Sequence, residues 1–281
     1  MTAPPCANHP DRMASAACAH CDRPICTECM LQAPVGWQCP ECIAAGAKKT
    51  KVIRPFADPN RTGIVGSTNP TPVVIALVVI CVVIFFFTDF GRSSAMTRLE
   101  MWPYGVHALH QYYRLFTSMF LHYDFLHIAS NMITLVIVGP AVEVMLGKLR
   151  FLALFLVAGI GGNVLSYLIA PFNGMSAGAS GAIFGVLGAY VVLARLQRKP
   201  MGPVVALIAI NLVLGFTGNV EWQAHIGGLI VGSALALGFN YASTLRNTVN
   251  EVALSVGASA LTLGILAVVV VTIAPGHVNV S

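Results

Sequence analysis

Three short polar motifs interrupt the apolar stretches that fill most of this chain. The first holds His122, His127 and Asn131 in LHYDFLHIASN, the second Ser180 in SAGASGAIFG, and the third His225 in EWQAHIGG. Polar or ionisable side chains at membrane depth are costly, so they are functional candidates. A serine hydroxyl becomes an effective nucleophile when a neighbouring histidine takes its proton. The motifs therefore predict a hydrolytic site with Ser180 as nucleophile and His225 as general base.

Acyl transfer also requires hydrogen-bond donors for the oxyanion that develops during attack. The backbone amides of Gly178 and Ser180 at the start of a helix, with the side chains of Asn131 and His127, are predicted to supply them. His127 and Asn131 are four residues apart, so a helix presents them on one face. Each residue alone has a simpler interpretation, as a helix cap or a packing residue. The combination favours a catalytic site.

The composition indicates what kind of scaffold must position these residues. Of 281 residues, 56% are hydrophobic and 10% charged, and the mean hydropathy is +0.76, which indicates an all-α polytopic membrane protein. A hydrocarbon core about 30 Å thick needs about 20 helical residues to cross. Seven apolar runs are predicted as spans: 72–90, 125–146, 151–170, 178–196, 203–216, 222–239 and 252–273. The three motifs lie at the beginnings of the second, fourth and sixth runs.

The basic residues predict the orientation of the spans. Cytoplasmic connections carry an excess of Lys and Arg. Alternate connections are basic here, through Lys148, Arg150, Arg195, Arg198, Lys199 and Arg246, and the segment before the first span is basic too. The N-terminus is therefore expected in the cytosol and the C-terminus outside, with the three motifs near the external face. Connection 91–121 has arginines on the external side, and its aromatic content predicts a structured interfacial segment.

Glycines predict which spans pack closely. Gly181, Gly185 and Gly188 lie in the fourth run, and Gly228 and Gly232 lie in the sixth. Small residues let helix backbones approach each other in a membrane. Close contact between these runs would bring Ser180 towards His225.

The three motifs resemble those of the rhomboid intramembrane proteases, over about residues 72–240. The family's Gly-x-Ser-Gly motif matches Gly178 to Gly181, and its His-x4-His-x3-Asn pattern matches His122, His127 and Asn131. Its Ala-His-x-x-Gly motif matches Ala224 to Gly228. The resemblance implies a rhomboid-like six-helix core, here followed by a seventh, C-terminal transmembrane helix. It also implies a catalytic dyad without an acidic third member.

The resemblance assigns structural roles to further residues: His122, Arg114, Glu143 and Gly181. The family's Trp-Arg pair is Tyr113 and Arg114 here, a conservative departure. The implied activity is cleavage of a transmembrane substrate near its external end, with small residues favoured at the cut and no cofactor. Such a substrate must unwind before its carbonyl can be attacked.

Two other functions are alternatives. A catalytically silent rhomboid-like protein would bind membrane helices, but relatives of that kind lack the serine or the histidine. A permease could use His122, His127 and His225 as a proton relay. The sequence has no internal repeat or paired broken helices of the kind that indicates a transporter.

A cysteine cluster precedes the spans. Seven of the eight cysteines lie between Cys6 and Cys42, and four two-residue pairs supply eight metal ligands: Cys6, His9, Cys18, Cys21, Cys26, Cys29, Cys39 and Cys42. Eight ligands suit two tetrahedral structural zinc sites. No secretory signal peptide is expected ahead of them, so a reducing cytosol favours metal over disulfides.

The cluster resembles B-box-type zinc fingers. Their cross-braced pairing would join the first and third ligand pairs on one zinc, and the second and fourth on the other. Sequential pairing of neighbouring pairs is an open alternative. About 40 residues bury too little core to fold unaided, so zinc is expected to supply the folding energy.

The predicted organisation has four parts: a double zinc-binding domain at 1–47, a basic flexible linker at 48–71, the six-helix core at 72–246, and the extra helix with an external tail at 247–281. Only Arg12 and Arg23 are basic within the cluster, which argues against nucleic acid. The expected partners are transmembrane substrates, the lipid bilayer and a cytosolic protein bound by the zinc domain. We expect a multi-pass protein of the bacterial plasma membrane.

Overall fold

The computed structural model describes residues 3–33, 36–49, 71–217, 221–244 and 248–273. The chain divides into two compact units, Met1–Pro55 and Phe56–Ser281. Most of the predicted linker, 50–70, lies outside the described residues, as does the predicted boundary at 246–247. The four domain boundaries therefore stay predictions.

The N-terminal unit consists of two small hairpins and a helix. Strand β1 (Ala16–Ala17) pairs antiparallel with β2 (Pro24–Ile25), and β3 (Leu31–Ala33) pairs antiparallel with β4 (Gly36–Gln38). Helix α1 (Pro40–Lys49) follows and extends two residues into the predicted linker. Among its described residues, the buried ones are Ile25 and five cysteines. This described part therefore has almost no apolar core of the ordinary kind.

The second unit is all-helical. Its helices are α2 (Pro72–Phe87), α3 (Ala95–Leu99), α4 (Pro103–Ala108), α5 (Arg114–Thr117), α6 (Phe125–Leu146), α7 (Lys148–Ile169), α8 (Ser180–Leu196), α9 (Gly202–Thr217), α10 (Trp222–Thr244) and α11 (Thr248–Thr272). Within the described residues, α6, α7, α10 and α11 are long and apolar enough to cross a membrane, and α2, α8 and α9 are shorter apolar helices. The all-α fold class is confirmed.

Several helix ends differ from the predicted runs for local reasons. Helix α8 begins at Ser180, two residues later than predicted, because Gly178 has a φ of +146° that an α-helix does not permit. Helix α2 ends at Phe87 rather than at residue 90, because Asp89 and Phe90 have φ values of 49° and 53°. Helix α10 continues to Thr244, five residues beyond the predicted end.

Glycines allow α8 and α10 to pack closely, as their spacing predicted. A Cβ on Gly228 would collide with the Gly181 carbonyl, and a Cβ on Gly232 would collide with that of Gly185. Helix α7 joins the same packing, since a Cβ on Gly162 would lie 2.6 Å from the Ala224 carbonyl oxygen. The three helices therefore approach backbone to backbone, which sets the positions of the residues at their ends.

Two carboxylates cap helices of this unit. Asp124 accepts a hydrogen bond of 2.8 Å from the His127 amide at the start of α6. Glu143, far away in sequence, accepts bonds of 3.2 and 2.9 Å from the Val73 and Val74 amides at the start of α2. Free amides at a helix N-terminus need such acceptors. Glu143 thus joins α6 to α2.

Connection 91–121 contains α3, α4 and α5, so it is structured. Arg114 is almost fully buried within it. The guanidinium donates to the Glu100 carbonyl at 2.7 Å, to the Thr97 carbonyl at 3.0 Å and to the Gln111 side chain at 2.6 Å. It also lies 5.4 Å from the centre of the Trp102 ring. Arg114 therefore holds the connection in one conformation.

Candidate active site and metal centres

One cavity contains the predicted active-site residues. It has a volume of about 430 Å³ and is lined by the predicted set Asn131, His127, Gly178, Ser180 and His225. These residues come from α6, from the start of α8 and from the first turns of α10, elements that are far apart in sequence. The structure thus brings together side chains that can act as nucleophile, base and hydrogen-bond donors.

Ser180 is the first residue of α8. Its amide therefore has no carbonyl partner within the helix. The Gly178 amide, in contrast, donates a 3.0 Å hydrogen bond to the Ser118 carbonyl. That amide is already hydrogen-bonded, and its role as an oxyanion donor stays a prediction. Gly178 also provides room, because a Cβ there would lie 2.8 Å from His127 Nε2.

His127 and Asn131 extend from α6 into the cavity. A Cβ on Gly178 would lie 2.8 Å from His127 Nε2 and 3.6 Å from Ser180 Oγ, so both groups flank the same small space. Asn131 is buried, and its amide donates a 2.9 Å bond to the His127 carbonyl one turn earlier. His122 is fully buried, with its ring 5.1 Å from that of His127. The His122 ring thus packs edge-on against that of His127, and its structural role stays a prediction.

His225 lies on the opposite wall of the cavity. Its ring is parallel to that of Phe184 on α8, with a centroid distance of 4.1 Å and an interplanar angle of 4°. Among the described residues, Nδ1 of His225 has no hydrogen-bond partner. Catalytic hydrogen bonds are often long in a free enzyme and shorten when substrate binds.

The predicted metal ligands form two clusters. One contains Cys6, His9, Cys26 and Cys29, and the other contains Cys18, Cys21, Cys39 and Cys42, with the ligand atoms of each within 4.8 Å of one another. This grouping is the cross-braced one and not the sequential one. The eight ligands come from the loops around the two hairpins and from the start of α1.

The spacing of the ligand atoms fits zinc. Zn–S bonds of about 2.3 Å in a tetrahedron place two sulfurs about 3.8 Å apart. Cys21 Sγ and Cys39 Sγ are 3.8 Å apart, and His9 Nδ1 is 3.4 and 3.3 Å from the sulfurs of Cys26 and Cys29. The Cys39 amide donates to Cys18 Sγ at 3.2 Å, and this bond, with others from the His20 and Cys21 backbone, lowers the pKa of that thiol to about 6. Such a bond favours the thiolate that binds metal.

Comparison with known proteins gives two family matches in separate parts of the chain. The Rhomboid domain matches residues 109–242, and the B-box zinc finger matches residues 2–33. The Rhomboid protease GluP of Bacillus subtilis is 43% identical over 159 residues, which are 52% of this chain and 31% of GluP. The Putative rhomboid protease YdcA of the same organism is 31% identical over 173 residues, 59% of this chain and 87% of YdcA. The chain belongs to the rhomboid family. The Rhomboid protease AarA of Providencia stuartii is 26% identical over 232 residues, 70% of this chain and 83% of AarA.

The rhomboid domain match includes the whole cavity, whereas α2 and α11 lie outside it. The chain spans about a third of the length of GluP. As a rhomboid-family chain with apolar helices, it is a multi-pass integral membrane protein. The B-box match ends at residue 33, so Cys39 and Cys42 of the second cluster lie beyond it.

Glu221 is one of the cavity residues that sequence reasoning missed. Glu221 precedes α10 and lines the same cavity as Ser180 and His225. Its Oε2 accepts a 3.2 Å hydrogen bond from Ser166 of α7. Burial raises the pKa of Glu221, and hydrogen bonds from Ser176 and Ser166 act in the opposite direction. The available signal was its spacing of four residues from His225 in EWQAHIGG.

Proposed function

We propose that this chain is an intramembrane serine endopeptidase that cleaves transmembrane substrates near the external membrane face with a Ser180–His225 dyad. The observation that carries the proposal is that Ser180, His225 and His127 line one cavity. The names of GluP and AarA as rhomboid proteases support it. The volume of about 430 Å³ suits a short unwound peptide segment better than an intact helix.

The proposed mechanism uses only groups of this chain. His225 takes the Ser180 proton as Oγ attacks the scissile carbonyl, and it returns that proton to the leaving amine. The Ser180 amide and the side chains of His127 and Asn131 stabilise the oxyanion. Water then hydrolyses the acyl-enzyme with His225 again as base. Parallel stacking on Phe184 restrains the imidazole between these steps.

We further propose that the N-terminal module binds two structural zinc ions and faces the cytosol, where it contacts a protein partner. The basic connections near Lys148, Arg195 and Arg246 support this orientation. Bacterial relatives support a bacterial plasma membrane as the location. The competing function is a silent protein that binds membrane helices.

The test is cleavage of a model transmembrane substrate by purified protein in liposomes, with fluorophosphonate labelling of the nucleophile. Ser180→Ala is expected to abolish labelling. His225→Ala is expected to lower the rates of cleavage and of labelling about a thousandfold or more. Ser130→Ala is the matched control, because Ser130 lines the same cavity and donates its hydroxyl proton to the His127 carbonyl. That variant should keep wild-type labelling.

Two outcomes would overturn the proposal. Cleavage that survives Ser180→Ala would exclude the dyad. Wild-type protein that neither labels nor cleaves any of a panel of transmembrane helices, yet binds them, would favour the silent helix-binding protein.

A further inference from the structure

Glu221 is an acidic side chain in the cavity for which the dyad mechanism has no use. It lies one residue before α10 and four residues before His225, so one turn of backbone connects the two. Its side chain faces the cavity that holds Ser180. Any displacement of Glu221 is therefore transmitted to the first turn of the helix that carries the proposed base.

The carboxylate of Glu221 joins two helices. Ser166 of α7 is fully buried and donates to Oε2 at 3.2 Å. Ser176, also buried, lines the same cavity as Glu221. Ser176 is fixed to Met101 by two backbone bonds of 2.7 and 2.9 Å. Glu221 therefore connects α7 to the start of α10, in the cavity that the loop before the nucleophile also lines.

The contacts of Glu221 argue against a place in a catalytic triad. A triad acid would accept a hydrogen bond from Nδ1 of the base. His225 Nδ1 has no partner among the described residues, while the Glu221 carboxylate accepts a hydrogen bond from the Ser166 hydroxyl. An acidic group also suits the N-terminal end of a helix electrostatically. Glu221 is thus placed to act on the base through the backbone.

We propose that Glu221 is a positioning residue: by accepting a hydrogen bond from Ser166 of α7 it sets the location of His225 relative to Ser180. This inference rests on the proposed dyad for its catalytic consequence. The positioning of α10 by Glu221 rests on the Ser166 hydrogen bond and does not depend on catalysis. A loss of the carboxylate would free the first turn of α10 to move independently of α7.

The kinetic test uses the full chain with Glu221→Ala and Glu221→Gln. A misplacement of about 1 Å costs about a hundredfold in rate, so Glu221→Ala should lower kcat and the fluorophosphonate labelling rate by that order. KM should change little, because Glu221 orients the base rather than the substrate. Glu221→Gln keeps one acceptor oxygen and should recover part of the loss. Glu251→Gln, which alters a half-buried acid on α11 that pairs with Arg150, is the matched control and should keep the wild-type rate.

A second measurement works whether or not the chain is active. The imidazole resonances of His225, followed by NMR, should shift in Glu221→Gln and stay unchanged in Glu251→Gln. The double variant Ser166→Ala with Glu221→Ala should lower the labelling rate no more than Glu221→Ala alone, because both changes remove the same hydrogen bond.

The outcomes separate the two proposals. Unchanged His225 resonances in both Glu221 variants would overturn the positioning role, even if the chain is a protease. If the His225 resonances shift in the Glu221 variants while the wild-type chain shows no fluorophosphonate labelling, the positioning role would be supported and the dyad overturned. Wild-type labelling rates in Glu221→Ala would also overturn the positioning role.

Discussion

The two units of this chain are stabilised by different means. The N-terminal unit buries Ile25 and cysteines, whose Sγ atoms gather in two clusters. The helical unit buries a large apolar cluster and a smaller one, and its α8 and α10 meet backbone to backbone at glycines. Metal ligands are specified by residue type and local spacing, whereas helix contacts depend on residues far apart in sequence. The first unit should therefore respond to metal, and the second to changes of side-chain volume.

Metal removal is expected to have the largest effect. Structural zinc contributes about 10–16 kcal/mol in small zinc-binding modules, more than a unit this small can replace. A strong chelator should unfold residues 3–49 and leave the helical unit folded, as measured by hydrogen exchange on the full chain. Cys18→Ala should have a similar effect on the N-terminal unit. The control is Cys81→Ala, a buried cysteine in the apolar core of the helical unit.

Persistent protection of residues 3–49 in protein shown by mass spectrometry to be metal-free would contradict this expectation. The hairpins of the N-terminal unit would then be stable without metal, and the two units would not differ in their need for it.

An added methyl group at the α8–α10 contact should have the next largest effect. Gly228→Ala places a Cβ against the Gly181 carbonyl, and overpacking of this kind costs about 1–3 kcal/mol. Since Gly181 follows Ser180, the variant should also lose the proposed peptidase activity. Gly264→Ala on α11 is the control, because no atom lies within 4 Å of its Cβ position. Thermal unfolding in detergent measures the melting temperature of both variants. If Gly228→Ala melts at the same temperature as Gly264→Ala, the α8–α10 contact accommodates the added methyl group without loss of stability.

Loss of a helix cap should have the smallest effect. Glu143→Gln leaves one acceptor oxygen for the two amides at the start of α2 and should destabilise the helical unit by about 1 kcal/mol. Glu143→Ala leaves both amides without an acceptor and should cost about 1–3 kcal/mol. Chemical denaturation of the two variants measures the difference. An Ala variant as stable as the Gln variant would show that water satisfies these amides.

The sequence predicted the fold class, the family and the zinc finger, and all three are confirmed. The apolar run 125–146 has the bounds of α6. Helix ends were less predictable, since the late start of α8 depends on a backbone angle at Gly178 that composition does not reveal. Two orders of ligand pairing were open, and the structure has the cross-braced one. The roles of Ser180 and His225 stay predictions that the experiments above test.

Residue types and their spacing by themselves determined which groups could do chemistry, because ligand pairs, polar motifs and apolar runs are local patterns. Only the tertiary structure decided which groups meet. It engages the Gly178 amide with Ser118, and it brings Glu221 to Ser166 of α7. Both outcomes depend on how closely α7, α8 and α10 pack. That packing is a balance of contacts along whole helices, which no single motif contains.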